Sequence, residues 1–135
     1  MKKEFIPYKE ALALKELGFD EPCFATYHKE LHAIIPIYAI YTNQDVIKAP
    51  LYQQAFRWFR YEHLLEGLIL PQFQSILAPT PSYFIAVISY KDEKCEEKFN
   101  SSNNKDEKNF LHYGTYEEAE LACLNKLIEI VKRYF

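Results

Sequence analysis

The segment Ser82-Tyr83-Phe84-Ile85-Ala86-Val87-Ile88-Ser89-Tyr90 decides the fold class. Tyr83, Ile85 and Val87 alternate with Phe84, Ala86 and Ile88, so an extended strand here has two apolar faces. Such a strand belongs inside a sheet with both faces at least partly covered. The cover is expected from a helix downstream. Thr115-Tyr116-Glu117-Glu118 reads as a capping box, with Thr115 as N-cap and Glu118 at the third helical position. The helix should run from Tyr116 to about Arg133. Glu117, Glu118 and Glu120 near its start and Lys126, Lys132 and Arg133 near its end match the helix dipole. Ala119, Cys123, Leu124, Leu127, Ile128, Ile130 and Val131 span a wide apolar arc, to be buried against the sheet.

Upstream, Pro7 to Leu17 predicts a first helix, since proline suits a first turn whose N–H has no partner. Ala11, Leu14 and Leu17 form its inner stripe. Gly18 is placed for the left-handed residue of a Schellman ending, with Phe19 folding back on Leu14. Cys23–His28 and Ala33–Tyr41 read as two strands joined by a turn at Lys29-Glu30. Pro36 cannot donate to a ladder, which makes its strand an edge or a bulged one. Thr42 to Lys48 reads as a polar loop.

A second helix opens at Pro50 and ends near Gly67. Leu68 to Pro81 is punctuated by proline, with a helical turn expected around Gln72–Leu77. Lys91 to Asn109 is too polar to bury itself, so a mobile connection is expected at about 92–108. Phe110–Tyr113 is the last expected strand. The expected fold is a single α+β domain over residues 1–135, in the order α-β-β-α-β-β-α. About four mostly antiparallel strands carry three helices, mainly on one face.

Composition agrees with one folded core: 135 residues, 49% hydrophobic and 26% charged. The aromatic share is 16%, with 11 Tyr and 10 Phe, so many tyrosines should sit at the core boundary or in an interface. The net charge of −3 argues against a general nucleic-acid binder, which needs a broad basic face. Met1-Lys2-Lys3-Glu4 does not open a signal peptide, and no apolar run is long enough for a bilayer. Cys23, Cys95 and Cys123 are widely spaced, without a Cys-x-x-Cys, which suggests free thiols in a reducing cytoplasm.

The second helix mixes aromatics and arginines: Ala49-Pro50-Leu51-Tyr52-Gln53-Gln54-Ala55-Phe56-Arg57-Trp58-Phe59-Arg60-Tyr61-Glu62-His63. Leu51, Tyr52, Ala55, Phe56 and Phe59 share an inner arc, with His63 at its edge. Gln53, Arg57, Arg60 and Leu64 lie opposite, flanked by Trp58, Gln54 and Tyr61. Arginine forks bind carboxylate or phosphate and stack on aromatic rings. Gln53, Arg57, Trp58, Arg60 and Tyr61 are therefore the candidate binding residues, for a protein partner or a small anionic, nucleotide-like ligand. The plainer reading is that both arginines pair with carboxylates such as Glu120 or Glu62 and solvate the helix.

Three segments together carry a resemblance: Phe5-Ile6-Pro7-Tyr8 on to Leu17-Gly18-Phe19-Asp20-Glu21-Pro22-Cys23, then Ala49 to Arg60, then Thr115 to Leu124. Over nearly its whole length the chain resembles a group of small proteins encoded by bacteriophages and prophage-like elements of gut bacteria. The resemblance implies a phage or mobile-element setting in the cytoplasm of a bacterial host. It assigns no activity and no residue role.

Catalytic and metal motifs are sparse. His28-Lys29-Glu30-Leu31-His32 places two histidines four apart, but without the His-Glu-x-x-His order, and it reads better as a turn. There is no glycine-rich phosphate loop, since Gly18, Gly67 and Gly114 are the only glycines. No Gly-x-Ser-x-Gly elbow appears. None of the cysteines has the electropositive, accessible setting of a nucleophile. The expected function is thus a non-enzymatic interaction protein without metal or cofactor, with homodimerisation through a sheet edge or the aromatic helix as a further expectation. A nucleotide-sequestering oligomer is the alternative, and an enzyme the weakest reading.

Overall fold

A computed structural model describes residues 4–36, 46–73, 81–90, 99–100 and 113–134. The fold is α+β, in the order α1 (Tyr8–Glu16), β1 (Ala25–His28), β2 (Ile34–Pro36), β3 (Val46–Ala49), α2 (Tyr52–Glu62), β4 (Leu65–Phe73), β5 (Pro81–Ser89), β6 (Phe99–Asn100) and α3 (Tyr116–Tyr134). The class and the succession of helices are those expected. The strands, however, are divided between two antiparallel three-stranded sheets, ordered β2-β1-β3 and β4-β5-β6.

α1 ends as its sequence predicts. Gly18 adopts φ 101°, its N–H reaches the Lys15 carbonyl at 3.0 Å, and the Phe19 N–H reaches the Leu14 carbonyl at 3.0 Å. This is the Schellman pair of bonds, and it carries Phe19 into the core over Leu14. At the start of α3 the Glu118 N–H donates to Thr115 Oγ1 at 3.2 Å, the N-cap half of the expected capping box. All seven residues of the expected apolar arc on α3 are buried.

β1 and β2 form the expected hairpin. His28 Nδ1 accepts the N–H groups of Glu30 and Leu31, each at 3.2 Å, so the histidine shapes a turn. His32 takes φ 52° and stacks on Tyr8 with ring centroids 3.7 Å apart. Pro36 lies on β2, an edge strand, where its missing donor costs no ladder bond. The rest of that expected strand, 37–41, lies outside the described residues.

Two expected loops contain strands instead. Val46–Ala49, the end of the expected polar loop, pairs with β1 across Ala25↔Ala49 to His28↔Val46. Four residues are too few to reveal a period, but Ile47 and Ala49 both point into the core. Leu65–Phe73, spanning the expected end of the second helix and the start of the proline-punctuated stretch, forms β4, paired with β5 from Leu65↔Ser89 to Phe73↔Pro81. Gln72 and Phe73 are thus strand and not the helical turn expected at Gln72–Leu77, whose remainder, 74–77, lies outside the described residues. Pro71 is tolerated because β4 is an edge strand of its sheet.

β5 occupies the centre of that sheet, as its two apolar faces demand. Phe99–Asn100, inside the expected mobile connection, pairs with Val87 and Ala86; the remainder of 92–108 lies outside the described residues. Of the last expected strand, Tyr113 bridges Tyr83 with reciprocal bonds of 3.0 Å, and 110–112 lie outside the described residues.

Gly67 does not end α2. The helix stops at Glu62, and Leu64 makes the turn with φ 54°. Gly67 sits inside β4, where a Cβ would lie 2.9 Å from Cys123 Sγ, 2.9 Å from Phe56 Cε1 and 3.0 Å from Leu127 Cδ1. The strand thus passes within van der Waals contact of both α2 and α3. One apolar cluster joins the whole, including Leu14 and Phe19 from α1, Ile47 from β3, Phe59 from α2, Ile85 and Val87 from β5, and Leu124 and Leu127 from α3. Among the described residues, no helix is long and apolar enough to cross a membrane.

Gly67→Ala is expected to destabilise the protein by about 1–3 kcal/mol, because the added methyl overpacks a closed contact. Urea unfolding of the variant beside the parent protein measures this, and an unchanged midpoint would refute the close approach.

Candidate functional site

α2 turns its face according to helical period, with Tyr52, Ala55, Trp58 and Phe59 buried. Trp58 is the correction to the sequence reading, for it belongs to the core and not to the outer face. It is 5% exposed and meets Phe19, Phe59 and His63 edge-on, at centroid distances of 5.5, 5.0 and 4.8 Å. Phe19 arrives there through the Schellman ending of α1, so the indole is enclosed by a residue remote in sequence. Burial of so large a ring outweighs its flanking position on the helical wheel.

The two arginines have different fates. Arg60 reaches across to β4 and makes a forked pair with Glu66, Nε to Oε2 at 2.5 Å and Nη2 to Oε1 at 2.7 Å. Its partner is neither Glu62 nor Glu120, the carboxylates suggested by proximity on the sequence or wheel. The fork neutralises the guanidinium and engages its Nε edge, so an anionic ligand approaching that edge would have to displace Glu66. Tyr61, 71% exposed, lies at the same end of the helix. Arg57 is exposed, and among the described residues it makes no ion pair.

Gln53 and Arg57 instead face a shallow depression of about 610 Å³, shared with Gln54, Leu51 and the connection Pro22-Cys23-Phe24. Gln54 fixes the wall between the two segments. Its Nε2 donates to the Pro22 carbonyl at 2.8 Å and to Glu21 Oε2 at 3.3 Å. Nearby, Lys48 Nζ ties β3 to the same connection through Asp20 Oδ1 at 2.8 Å and the Asp20 carbonyl at 3.0 Å. That lysine holds the Asp20 carboxyl below its ordinary range by hydrogen bonding and charge.

Phe24 is 70% exposed on the rim, an unusual position for a phenylalanine in a chain with a full core. Sequence reasoning missed Phe24, and alternation could not have found it: Cys23, Ala25 and Tyr27 are buried, but so is Thr26, which shares the parity of Phe24. The depression therefore combines an apolar ring, one unneutralised guanidinium and two amides. Of the five candidate residues it brings together Gln53 and Arg57, while Arg60 and Tyr61 lie apart and Trp58 lies beneath.

Cys23, at this depression, and Cys123, on α3 against β4, are poor nucleophiles. Burial pushes the Cys23 thiol up to about 11, and its S–H donates to the Glu21 carbonyl at 3.4 Å. Cys123, fully buried, is pushed up to about 12 by burial. Among the described residues, no group of three His, Cys, Asp or Glu side chains is placed to hold a metal ion.

No protein-family model matches this chain, and no curated protein or solved structure does either.

Trp58→Ala is expected to cost about 3–5 kcal/mol in urea unfolding, as removal of a buried ring does; a loss below about 1 kcal/mol would return Trp58 to the surface. The thiols set an alkaline limit. The folded state keeps its thiol protons to about 11 and 12, whereas an unfolded thiol releases its proton near 9.0. Their contribution to stability is complete below pH 9.0 and is lost as pH rises through those folded values. Thermal melts should show a decline above pH 9, shallower in a Cys23→Ala/Cys123→Ala variant than in the parent. Equal slopes would count against buried thiols.

Proposed function

We propose that the protein is a non-catalytic interaction module that grips a segment of another protein in the depression between the Pro22–Phe24 connection and the outer face of α2. The observation that carries this reading is the pairing of an exposed phenylalanine with an unneutralised arginine, Phe24 beside Arg57, across a wall fixed by Gln54. Exposed aromatic and arginine side chains are the residue types that anchor protein interfaces. Phe24 supplies apolar area and Arg57 a fork for a carboxylate. Gln53 and Gln54 offer amides to the backbone of the bound segment. The phage or mobile-element setting implied by the sequence resemblance makes a host protein the natural partner.

The nucleotide-binding alternative draws less support. Its clamp needed two arginines and a stacking indole, but Arg60 is engaged by Glu66 and Trp58 is enclosed. A single arginine and two amides remain for a phosphate.

Tagged protein, used as bait in bacterial lysate, should retain a specific partner that a Phe24→Ala/Arg57→Ala variant loses by tenfold or more, on the order of two interface anchors. Tyr134→Ser, at the far end of α3, should retain it. Equal capture by all three proteins, or no specific capture, would overturn the assignment of the site.

A further inference from the structure

Gln53 also borders a second depression, of about 410 Å³, where the start of α2 meets the start of α3 and the residue preceding Phe5. Phe5 bridges Leu51, and the Ile6 N–H reaches the Pro50 carbonyl at 3.0 Å, which places Glu4 beside α2. Glu4, Glu117 and Glu120 thus bring three carboxylates to one hollow from two distant parts of the chain. Tyr52 and Glu117 also line a neighbouring hollow of about 550 Å³ that reaches Glu118, so the two form a continuous trough. Among the described residues lining it there is no lysine or arginine.

Acidic residues at a helix start often do no more than complement its dipole. That accounts for Glu117 and Glu118, the first-turn acids. It does not account for Glu4, which belongs to another segment, and the sequence-based assignment of Glu120 to the dipole is weakened because that residue lies beyond the first turn, where the effect has fallen off. Burial and the neighbouring Glu117 charge hold the Glu120 carboxyl above its ordinary range. The cluster is one of like charges awaiting compensation.

A second observation concerns Tyr52. The residue is 7% exposed and lines both hollows. Burial and the charges of Glu120 and Glu10 act on its hydroxyl, but no hydrogen bond among the described residues engages it. Tyr52 is thus a nearly buried polar side chain that borders both hollows and whose hydroxyl has no partner among the described residues. Tyr116, 46% exposed, adds a second ring at the rim. The carboxylates are too dispersed to share a metal ion. Their spacing along a trough suits a cation whose charges are themselves spaced.

We propose that this trough binds an extended alkylammonium, with its charges set between Glu4, Glu117 and Glu120 and its methylenes against Tyr52 and Tyr116. Carboxylates pair with the ammonium groups, and tyrosine faces attract cations and cover apolar stems. The same chemistry is presented by a free polyamine and by lysine side chains of a protein. This site stands apart from Phe24 and Arg57, and it holds or fails independently of their role.

Titration calorimetry of the full chain at low ionic strength, with spermidine and with N-acetyl-trilysine amide as probes, tests this. Sodium chloride at matched ionic strength serves as reference. Wild type should bind one or both probes with one saturable site and melt at higher temperature than in the salt reference. Glu117→Gln/Glu120→Gln should weaken binding about tenfold or more, as loss of charge-assisted bonds does. Tyr52→Phe, which keeps the ring, should weaken it by roughly threefold through the lost acceptor, and Tyr134→Ser should leave it unchanged. Binding of spermidine alone identifies a free polyamine as the ligand, and binding of trilysine identifies a lysine side chain. Should the double variant fail to fold, Glu4→Gln, which lies outside α1, α2 and α3, replaces it with an expected loss of about threefold. Absence of saturable binding by either probe, or equal affinity in the carboxamide variants, overturns the proposal.

Discussion

The fold depends on the close approach of β4 to two helices at Gly67. A hydrogen atom in place of a side chain lets the strand lie against Cys123 and Leu127 of α3 and Phe56 of α2 at once. Interiors pack at nearly crystalline density, so a strand held this close fixes both helices relative to the sheet. Leu65 and Ile69, two residues to either side, face the same helices and complete the strip. β5 then follows from β4 by their continuous ladder, and α3 covers β5 with its buried arc. The sheet, the last helix and the middle helix are in this way placed by one contact.

The first sheet joins through aromatic rings. Phe19, delivered by the end of α1, packs on Trp58, which in turn meets Phe59 and His63. Tyr27 of β1 donates its hydroxyl to the Ile6 carbonyl at 2.7 Å and meets Tyr8 edge-on. Asn125 of α3 donates to the buried carboxylate of Glu10 on α1 at 3.2 Å, linking first and last helices. Among the described residues most of the aromatic rings are thereby used in the core and at its boundary. Several tyrosines are also exposed, but each carries a hydroxyl for water; among the described residues Phe24 is the phenylalanine directed outward, beside Arg57, and for that reason it carries the functional argument.

Electrostatics divide the surface around Gln53. On one side stands Arg57, with an apolar ring and amides. On the other stand Glu4, Glu117 and Glu120, with two phenols. The division is set by topology, since the residues before α1 and the start of α3 converge on the first turn of α2. A net charge of −3 conceals it, because a total cannot show how charges are grouped.

Local rules determined much of this protein from its sequence alone. The Schellman ending at Gly18-Phe19, the cap at Thr115, the buried arc of α3, the central placement of β5 and the edge placement of Pro36 each depend on neighbours within a few residues. Their physics is that of backbone angles, orphan N–H groups and period, and all of it can be read along a chain. What lay beyond it depended on distant partners. Trp58 sits on the flank of its helical wheel, and only Phe19, brought in by α1, makes that flank interior. A carboxylate partner for Arg60 could be expected from the sequence, but Glu66 enters its fork only because β4 passes beside α2. Gly67 read as a stop because the sequence cannot show two helices closing over one strand. The acidic trough is likewise invisible in sequence, since Glu4 and Glu120 meet only after the chain has folded back across α2. Distance along the chain carries no information about such contacts; the packing of the core alone decides them.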